Sequence, residues 1–356
     1  MSIRVRSFAK INLGLRIGAR RADGFHDLLT IYQTVGLHDI LRISVARGGG
    51  IEIRCDDPRV PKDESNTCFR IAEKAMAALR AKGRVLIEIE KRLPVQGGLG
   101  GASSNGVAAL IGLQRALNRY LPMTEALHIA AEVGSDLPLF LIGGTVLGVG
   151  RGEQVYPLED LPATACVTVT PEVGVSTPKA FAEWDRRLES EPRPDSYSPD
   201  RARYSRSEKP GLGLNGQPRA AVSTRAKLTS ATPSDRIILL GCGLSAWLSE
   251  RYSGAPRGRQ RGRAENPLLA LVRAGIENDF EQVVFPEYPE LSEAKRALER
   301  AGAKYASLSG SGSTLYGLFA SAGEARAAAA KLKRLGWAAQ ATATLTRRRY
   351  WRGILD

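Results

Sequence analysis

Pro94-Val95-Gln96-Gly97-Gly98-Leu99-Gly100-Gly101-Ala102-Ser103-Ser104 is the stretch on which the fold turns. Just before it, Val85 to Glu90 (VLIEIE) alternates with period two, as a half-buried strand does. Just after it, Ser104 to Asn118 carries apolar residues at helical spacing, so four glycines join a strand to a helix. Glycine lets the backbone approach an anion closely and turn its N–H groups inward. The helix start adds the positive end of its dipole, and Ser103 and Ser104 add hydroxyls. The stretch therefore reads as a phosphate cradle. No Gly-Lys-Ser/Thr ends it, so it is not a P-loop, and its glycine spacing is not that of a dinucleotide fingerprint. Gly211-Leu212-Gly213-Leu214-Asn215-Gly216 does match G-x-G-x-x-G, but no strand precedes it and the match is read as accidental.

Working outward toward the N-terminus, Ile3 to Phe8, Ile40 to Val45 and Ile51 to Arg54 read as strands. Ser65, Asn66 and Thr67 offer a cap for an alanine-rich helix to about Ala81, and Thr124 to Val133 reads as another helix. Toward the C-terminus, a strand is expected at Cys166 to Thr170 and a helix near Pro178 to Leu188. Helices at about Pro267 to Arg273 and Glu290 to Ala301 precede a strand–glycine-loop–strand at Ala306 to Phe319. A helix at Ala322 to Leu335 and a strand to about Leu345 follow. Strands mixed with helices, but no regular βαβ series, argue for an α+β architecture.

The length of 356 residues makes two domains the default, divided near residue 160 into 1–160 and 161–356. Residues 190–263 form a basic, Ser/Arg/Pro/Gly-rich insertion in the second, interrupted by the apolar run Ile237 to Leu248. Between Arg186 and Arg263, sixteen Lys and Arg stand against seven Asp and Glu, a net +9 of the chain's +14. A basic nucleic-acid-binding protein is thus one possible class, and an enzyme with anionic substrates is the other. At 43% hydrophobic and 25% charged the composition is that of a soluble globular chain, and general disorder is excluded. No run approaches the ~20 apolar residues of a membrane helix, and Met1 to Lys10 shows no secretory block. Cys55, Cys68, Cys166 and Cys242 have no metal-ligand spacing and read as reduced cytoplasmic thiols.

A second glycine loop, Ser309-Gly310-Ser311-Gly312-Ser313-Thr314, lies between two expected strands, where small residues permit close approach to a ligand or to the first loop. The charged candidates are less telling alone. Lys10, following a strand in Ala9-Lys10-Ile11-Asn12-Leu13, would by itself be a solvated charge. Asp136, just past a helix, would be a turn or cap aspartate, and His26 a structural histidine.

In combination these motifs resemble the GHMP small-molecule kinases, named for galactokinase, homoserine kinase, mevalonate kinase and phosphomevalonate kinase. Both the Pro-x-x-x-Gly-Leu-Gly-x-x-Ser-Ser loop and the late glycine-rich motif of that superfamily are matched. Ala9 to Leu13, Arg20-Arg21-Ala22-Asp23-Gly24-Phe25-His26, Asn278-Asp279-Phe280-Glu281 and Ser307 to Thr314 resemble the branch acting on 4-diphosphocytidyl-2-C-methyl-D-erythritol. The resemblance spans roughly residues 3–185 and 265–345. It implies an N-terminal domain like ribosomal protein S5 domain 2, a fold also found in nucleic-acid-binding proteins, and a ferredoxin-like C-terminal domain.

The implied reaction is transfer of the ATP γ-phosphoryl, with Mg²⁺, to the 2-hydroxyl of the cytidyl substrate in the non-mevalonate route to isoprenoids. Carried over by motif, Asp136 is the catalytic aspartate and Lys10 its partner, and Pro94 to Ser104 bind ATP. Asn12, Phe25 and His26 contact substrate, the histidine reading the cytosine edge and the aromatic covering its face. Phe181, five residues after Ser176, is the second stacking aromatic. Gly310, Ser311 and Gly312 form the second loop. Ala102 stands where the family commonly has a third consecutive glycine, and the insertion is unexplained by the family pattern. A monomer or homodimer without membrane or nucleic-acid partners is expected. Another GHMP kinase acting on a different alcohol is the near alternative.

Overall fold

The computed structural model describes residues 2–190 and 277–355. Cys242, most of the insertion, its G-x-G-x-x-G match, Ile237 to Leu248 and the helix expected at Pro267 to Arg273 lie outside these residues. Two sheets stack with a shared core between them. The first runs β3 (Ile51–Cys55), β4 (Arg84–Glu90), β2 (His26–Ala46), β5 (Thr145–Val149), β6 (Gln154–Pro157), with β1 (Ser2–Arg20) pairing antiparallel along β2. Strand β2 is long enough to serve two neighbours on its other edge, β4 through residues 40–46 and β5 through residues 30–33.

Helices α1 (Thr67–Ala78), α2 (Gly101–Leu117) and α3 (Met123–Val133) bury their apolar faces with this sheet. The cap of α1 is Asn66, whose side chain accepts from Cys68 N–H. A short helix α4 (Leu137–Ile142) follows α3.

The second sheet is antiparallel in the order β10 (Ala339–Ala343), β7 (Ala165–Val169), β9 (Leu315–Phe319), β8 (Tyr305–Leu308). Taken in chain order that is 4-1-3-2, the ferredoxin-like arrangement. Helices α5 (Thr177–Ser190), α6 (Glu281–Glu287), α7 (Pro289–Arg300) and α8 (Ala322–Arg334) pack with it. The last helix, α9 (Arg347–Ile354), returns to the first core, where Tyr350 and Ile354 are buried.

The two longest strands extend well beyond the strands expected at Ile3 to Phe8 and Ile40 to Val45. In the structure Lys10 lies within β1 and not after it. From Ala9 to Ile17 the strand keeps its period: Ile11 and Leu13 enter the core shared between the sheets, and Leu15 and Ile17 enter the core of the second domain. The alternate positions are polar but also buried, namely Lys10, Asn12 and Arg16. The apolar–polar alternation from Ala9 to Ile17 therefore stands in the sequence, although the strand is buried on both faces.

Register shifts flank the functional stretch, between Phe8 and Ala9 and between Asn12 and Gly14. Such bulges re-aim side chains.

The Asn278–Glu281 turn ties the two domains together. Asp279 is fully buried, accepting from Arg16 Nη1 at 2.7 Å and from Ile17 N–H at 2.9 Å. Asn278 Nδ2 donates to the carbonyls of Leu308 and Gly310, fixing the second glycine loop. Removing one partner of a buried, hydrogen-bonded ion pair is strongly destabilising, so this turn holds the loop to β1. Among the described residues no helix is long and apolar enough to cross a membrane, and Cys55, Cys68 and Cys166 are buried free thiols.

Candidate active site

A cleft of about 880 Å³ opens between the two domains. It is bounded by the first glycine loop, the Lys10–Asn12 segment of β1, the Phe25–His26 turn, Asp136, the start of α5 and the second glycine loop.

The first loop is built by its glycines. Gly98 and Gly100 have φ of 75° and 70°, the left-handed region that favours glycine. A Cβ on Gly98 would overlap the Ser309 carbonyl oxygen, so the two loops touch as well as face the same space. Thr314 N–H donates to Gly97 O at 3.0 Å and Ser309 Oγ to Gly98 O at 3.0 Å. Helix α2 begins at Gly101, three residues earlier than its apolar spacing suggests. Its first intrahelical bond runs from Ser104 N–H to Gly100 O, leaving the N–H groups of Gly101, Ala102 and Ser103 without a helical partner. That is the anion-binding geometry of a helix start.

Pro94 to Gly98 and Gly100 to Ser103 all line the cleft. Leu99 and Ser104 do not. Leu99 is packed in the core between the sheets, and Ser104 Oγ donates inward to Phe8 O at 2.6 Å. Their place in the stretch is to anchor the loop.

Lys10 is held from both ends. Its N–H donates to Leu99 O at 3.0 Å, stitching β1 to the loop, and its Nζ donates to Asn12 Oδ1 at 2.7 Å. The same Nζ lies 3.4 Å from Asp136 Oδ2. Asn12 in turn donates through Nδ2 to Thr30 Oγ1 at 2.8 Å, which fixes its oxygen toward the lysine.

Asp136 occupies the N-cap position of α4, yet its side chain makes no capping bond. The duty expected of a cap aspartate is therefore absent, and the carboxylate faces Lys10 and Tyr32 instead. Tyr32 Oη donates to Asp136 Oδ1 at 3.0 Å. Burial, and then the neighbouring Asp136 carboxylate, push the Tyr32 phenol well above its ordinary value, so it stays a donor at neutral pH.

At the other end of the cleft, His26 opens β2 and is almost wholly buried. Phe181 lies flat against it, with centroids 4.8 Å apart and planes 7° from parallel, and Phe280 meets Phe181 edge-on at 4.9 Å. Phe25 is half exposed in the preceding turn, with the Arg151 guanidinium 4.9 Å above its ring. Gly310, Ser311 and Gly312 line the wall opposite, where Ser311 Oγ and Thr177 Oγ1 share a hydrogen bond of 2.7 Å.

Several contributors escape a reading of the sequence. Tyr32 and Arg151 fall in stretches with no assigned element. Asp39, fully buried, accepts from Lys91 Nζ at 2.6 Å and from the N–H groups of Arg92 and Leu93 at 2.7 Å, clamping the entry to the glycine loop. Asp185 bonds His26. Its one sequence signal is its position four residues after Phe181 on an expected helix.

The chain is similar to known proteins over most of its length. The family model described as GHMP kinases N terminal domain matches residues 66–144, and the one described as GHMP kinases C terminal matches residues 264–336. A 4-diphosphocytidyl-2-C-methyl-D-erythritol kinase of Solibacter usitatus is 36% identical over 315 residues, covering 88% of this chain and 80% of that protein. One from Geobacter sulfurreducens is 30% identical over 95% of this chain and 97% of its own length. The crystal structure of a 4-(cytidine 5'-diphospho)-2C-methyl-D-erythritol kinase matches with a TM-score of 0.65 and 26% identity, over 96% of this chain and 98% of that one. Homoserine kinase from Cytophaga hutchinsonii, at 20% identity and a TM-score of 0.62 over 97% and 95% of the two chains, shares the fold. Two domain matches in order and near full-length identity of 30–36% make this chain a member of the 4-diphosphocytidyl-2-C-methyl-D-erythritol kinase family within the GHMP kinases.

Proposed function

We propose that the cleft transfers the γ-phosphoryl group of ATP to the 2-hydroxyl of 4-diphosphocytidyl-2-C-methyl-D-erythritol, with Asp136 and Lys10 at the reacting centre. The observation that carries this assignment is the 3.4 Å Lys10–Asp136 pair, joined through the Lys10 backbone to the glycine loop. An alcohol is a poor nucleophile, and a carboxylate beside it accepts its proton as the O–P bond forms. Tyr32 occupies Asp136 Oδ1, which leaves Oδ2 toward Lys10 and the incoming hydroxyl. The Lys10 ammonium stabilises the charge on the transferring phosphoryl, and the N–H groups of Gly101 to Ser103 hold the ATP phosphates. No cluster of three or more His, Cys, Asp or Glu among the described residues could hold a metal by itself. Mg²⁺ would enter with ATP and supply positive charge that offsets the phosphates during transfer.

Around His26 the geometry suits a base. A cytosine hydrogen-bonded in the imidazole plane would lie parallel to Phe181, because that ring is within 7° of the same plane. Phe25 would then cover it from the turn. His26→Ala is expected to raise KM for the cytidyl substrate and leave KM for ATP nearly unchanged, since a polar site loses binding when its partner group goes. An equal rise for both substrates would make His26 structural.

The test of the reaction is ADP formation from ATP and Mg²⁺ with and without the cytidyl substrate, the product being read by ³¹P NMR as a phosphate monoester. ATP consumption independent of that substrate, or equal turnover of homoserine or mevalonate, would refute the assignment.

The loop has its own test. Gly100→Val places a β-branched residue at φ 70°, and its Cβ would meet Lys10 Cγ and Phe140 Cζ at 3.0 Å each. The left-handed backbone alone costs about 1–2 kcal/mol, so ATP affinity should fall about tenfold or more. Calorimetric titration of ATP into the variant measures it, and an unchanged Kd would contradict the cradle.

A further inference from the structure

We infer that Asp185 is a specificity-determining residue: it fixes His26 as the tautomer that accepts the cytosine amino group and turns away uracil. The inference rests on the reading of the cleft as a cytidyl site.

Asp185 is on α5, four residues after Phe181, so the two side chains lie on neighbouring turns of one helix face. Both reach His26. Phe181 stacks on the ring, and Asp185 Oδ1 lies 2.6 Å from Nε2. With the ring nine-tenths buried and His26 paired to Arg20 through β2, the imidazole has little freedom to turn.

A carboxylate only accepts, so the Nε2 atom must carry the proton and donate it. In the neutral imidazole that leaves Nδ1 as a bare acceptor. Among the described residues Nδ1 has no hydrogen-bond partner, and His26 lines the cleft. Cytosine presents an N–H₂ donor at the position where uracil presents a carbonyl oxygen. An acceptor nitrogen therefore pairs with the first and opposes the second. Asp185 does not touch the base; it acts through His26 as a positioning residue.

His38 shows the opposite case in the same molecule. Its Nδ1 lies 2.9 Å from the Gly36 carbonyl oxygen, which requires Nδ1 to carry the proton. The fold thus specifies each tautomer locally, by what the second nitrogen meets.

The experiment uses the full chain and the Asp185→Asn variant. The readout is the ratio of kcat/KM for the cytidyl substrate to that for its uridyl analogue, because a merely structural role lowers both together. The substitution places a carboxamide where the carboxylate stands, and its N–H₂ group can donate to Nε2 and so permit the proton on Nδ1. The ratio should fall about 10- to 100-fold, the range of one buried hydrogen bond lost, with the loss in KM for the cytidyl substrate. A wild-type-like ratio in the variant would overturn the role of Asp185 while leaving the cytidyl reading intact. If the wild-type chain turns over both nucleotides equally, the cytidyl reading fails and this inference with it. A second measurement is independent of activity: ¹⁵N chemical shifts of the three labelled histidines. His26 is expected with a protonated Nε2 and a bare Nδ1, and His38 with the reverse. A proton on His26 Nδ1 in the wild-type chain would overturn the proposal.

Discussion

Asp136→Asn should lower kcat by about 10²–10⁴-fold, the usual cost of losing a general base. The fold should stay intact, with at most a small fall in melting temperature, because the carboxylate paired with buried Lys10 is itself a third exposed. The substitution keeps the size of the side chain and keeps an oxygen to accept from Tyr32 Oη, so the local geometry survives. What disappears is a group able to take the proton of the attacking hydroxyl. The carboxylate makes no capping bond in α4, so no helix terminus depends on it. Steady-state kinetics together with thermal unfolding followed by circular dichroism check both halves. Near-wild-type turnover would remove Asp136 from the reaction, whatever its position.

Lys10→Ala should cost about 10²–10³-fold in kcat, comparable to deleting one preorganised donor from a charge-stabilising site. The lysine is buried, with its stem against Gly100 and its ammonium between Asn12 and Asp136. Truncation therefore removes charge from the transferring phosphoryl and leaves two oxygens facing an empty volume. Because Lys10 and Asp136 act on one transition state, the double variant should lose far less than the product of the two single effects. Multiplicative losses would mean that the two residues serve different steps.

The glycine stretch at 94–104 is legible in the sequence because its physics is local. Four glycines between a strand pattern and a helix pattern identify a close-approach loop wherever the rest of the chain goes. The late loop at 309–314 is legible for the same reason. Strand β7, helix α5 and the order from α7 to β10 are also readable, and α7 and α8 begin and end within a residue or so of the expected positions, whereas α6 is not expected from the sequence. Conversely, most of β2 and the run α4, β5 and β6 carry no visible period, whereas β1 beyond Phe8 keeps an alternation that an end at Phe8 misses. Strand β2 is largely buried on both sides, and α4, β5 and β6 are only four to six residues long, too short to show a period.

Function at the level of family was in the sequence, through motifs whose order and spacing no composition could imitate. The sequence singled out the lysine, the aspartate and the histidine only by likeness, since each taken singly reads as an ordinary surface charge, a cap and a structural ring.

The tertiary structure decided what those residues do to one another. It put Lys10 inside a strand rather than after one, between Asn12 and Asp136. It released Asp136 from capping so that Tyr32 could hold it, and turned Ser104 inward while leaving Ser103 at the cleft. It also joined His26 to Asp185 across 159 positions of chain. These pairings depend on the stacking of two sheets and on bulges within β1. Distances of 2.6 to 3.4 Å between residues more than a hundred positions apart are set by that packing, and no local pattern in the chain encodes them.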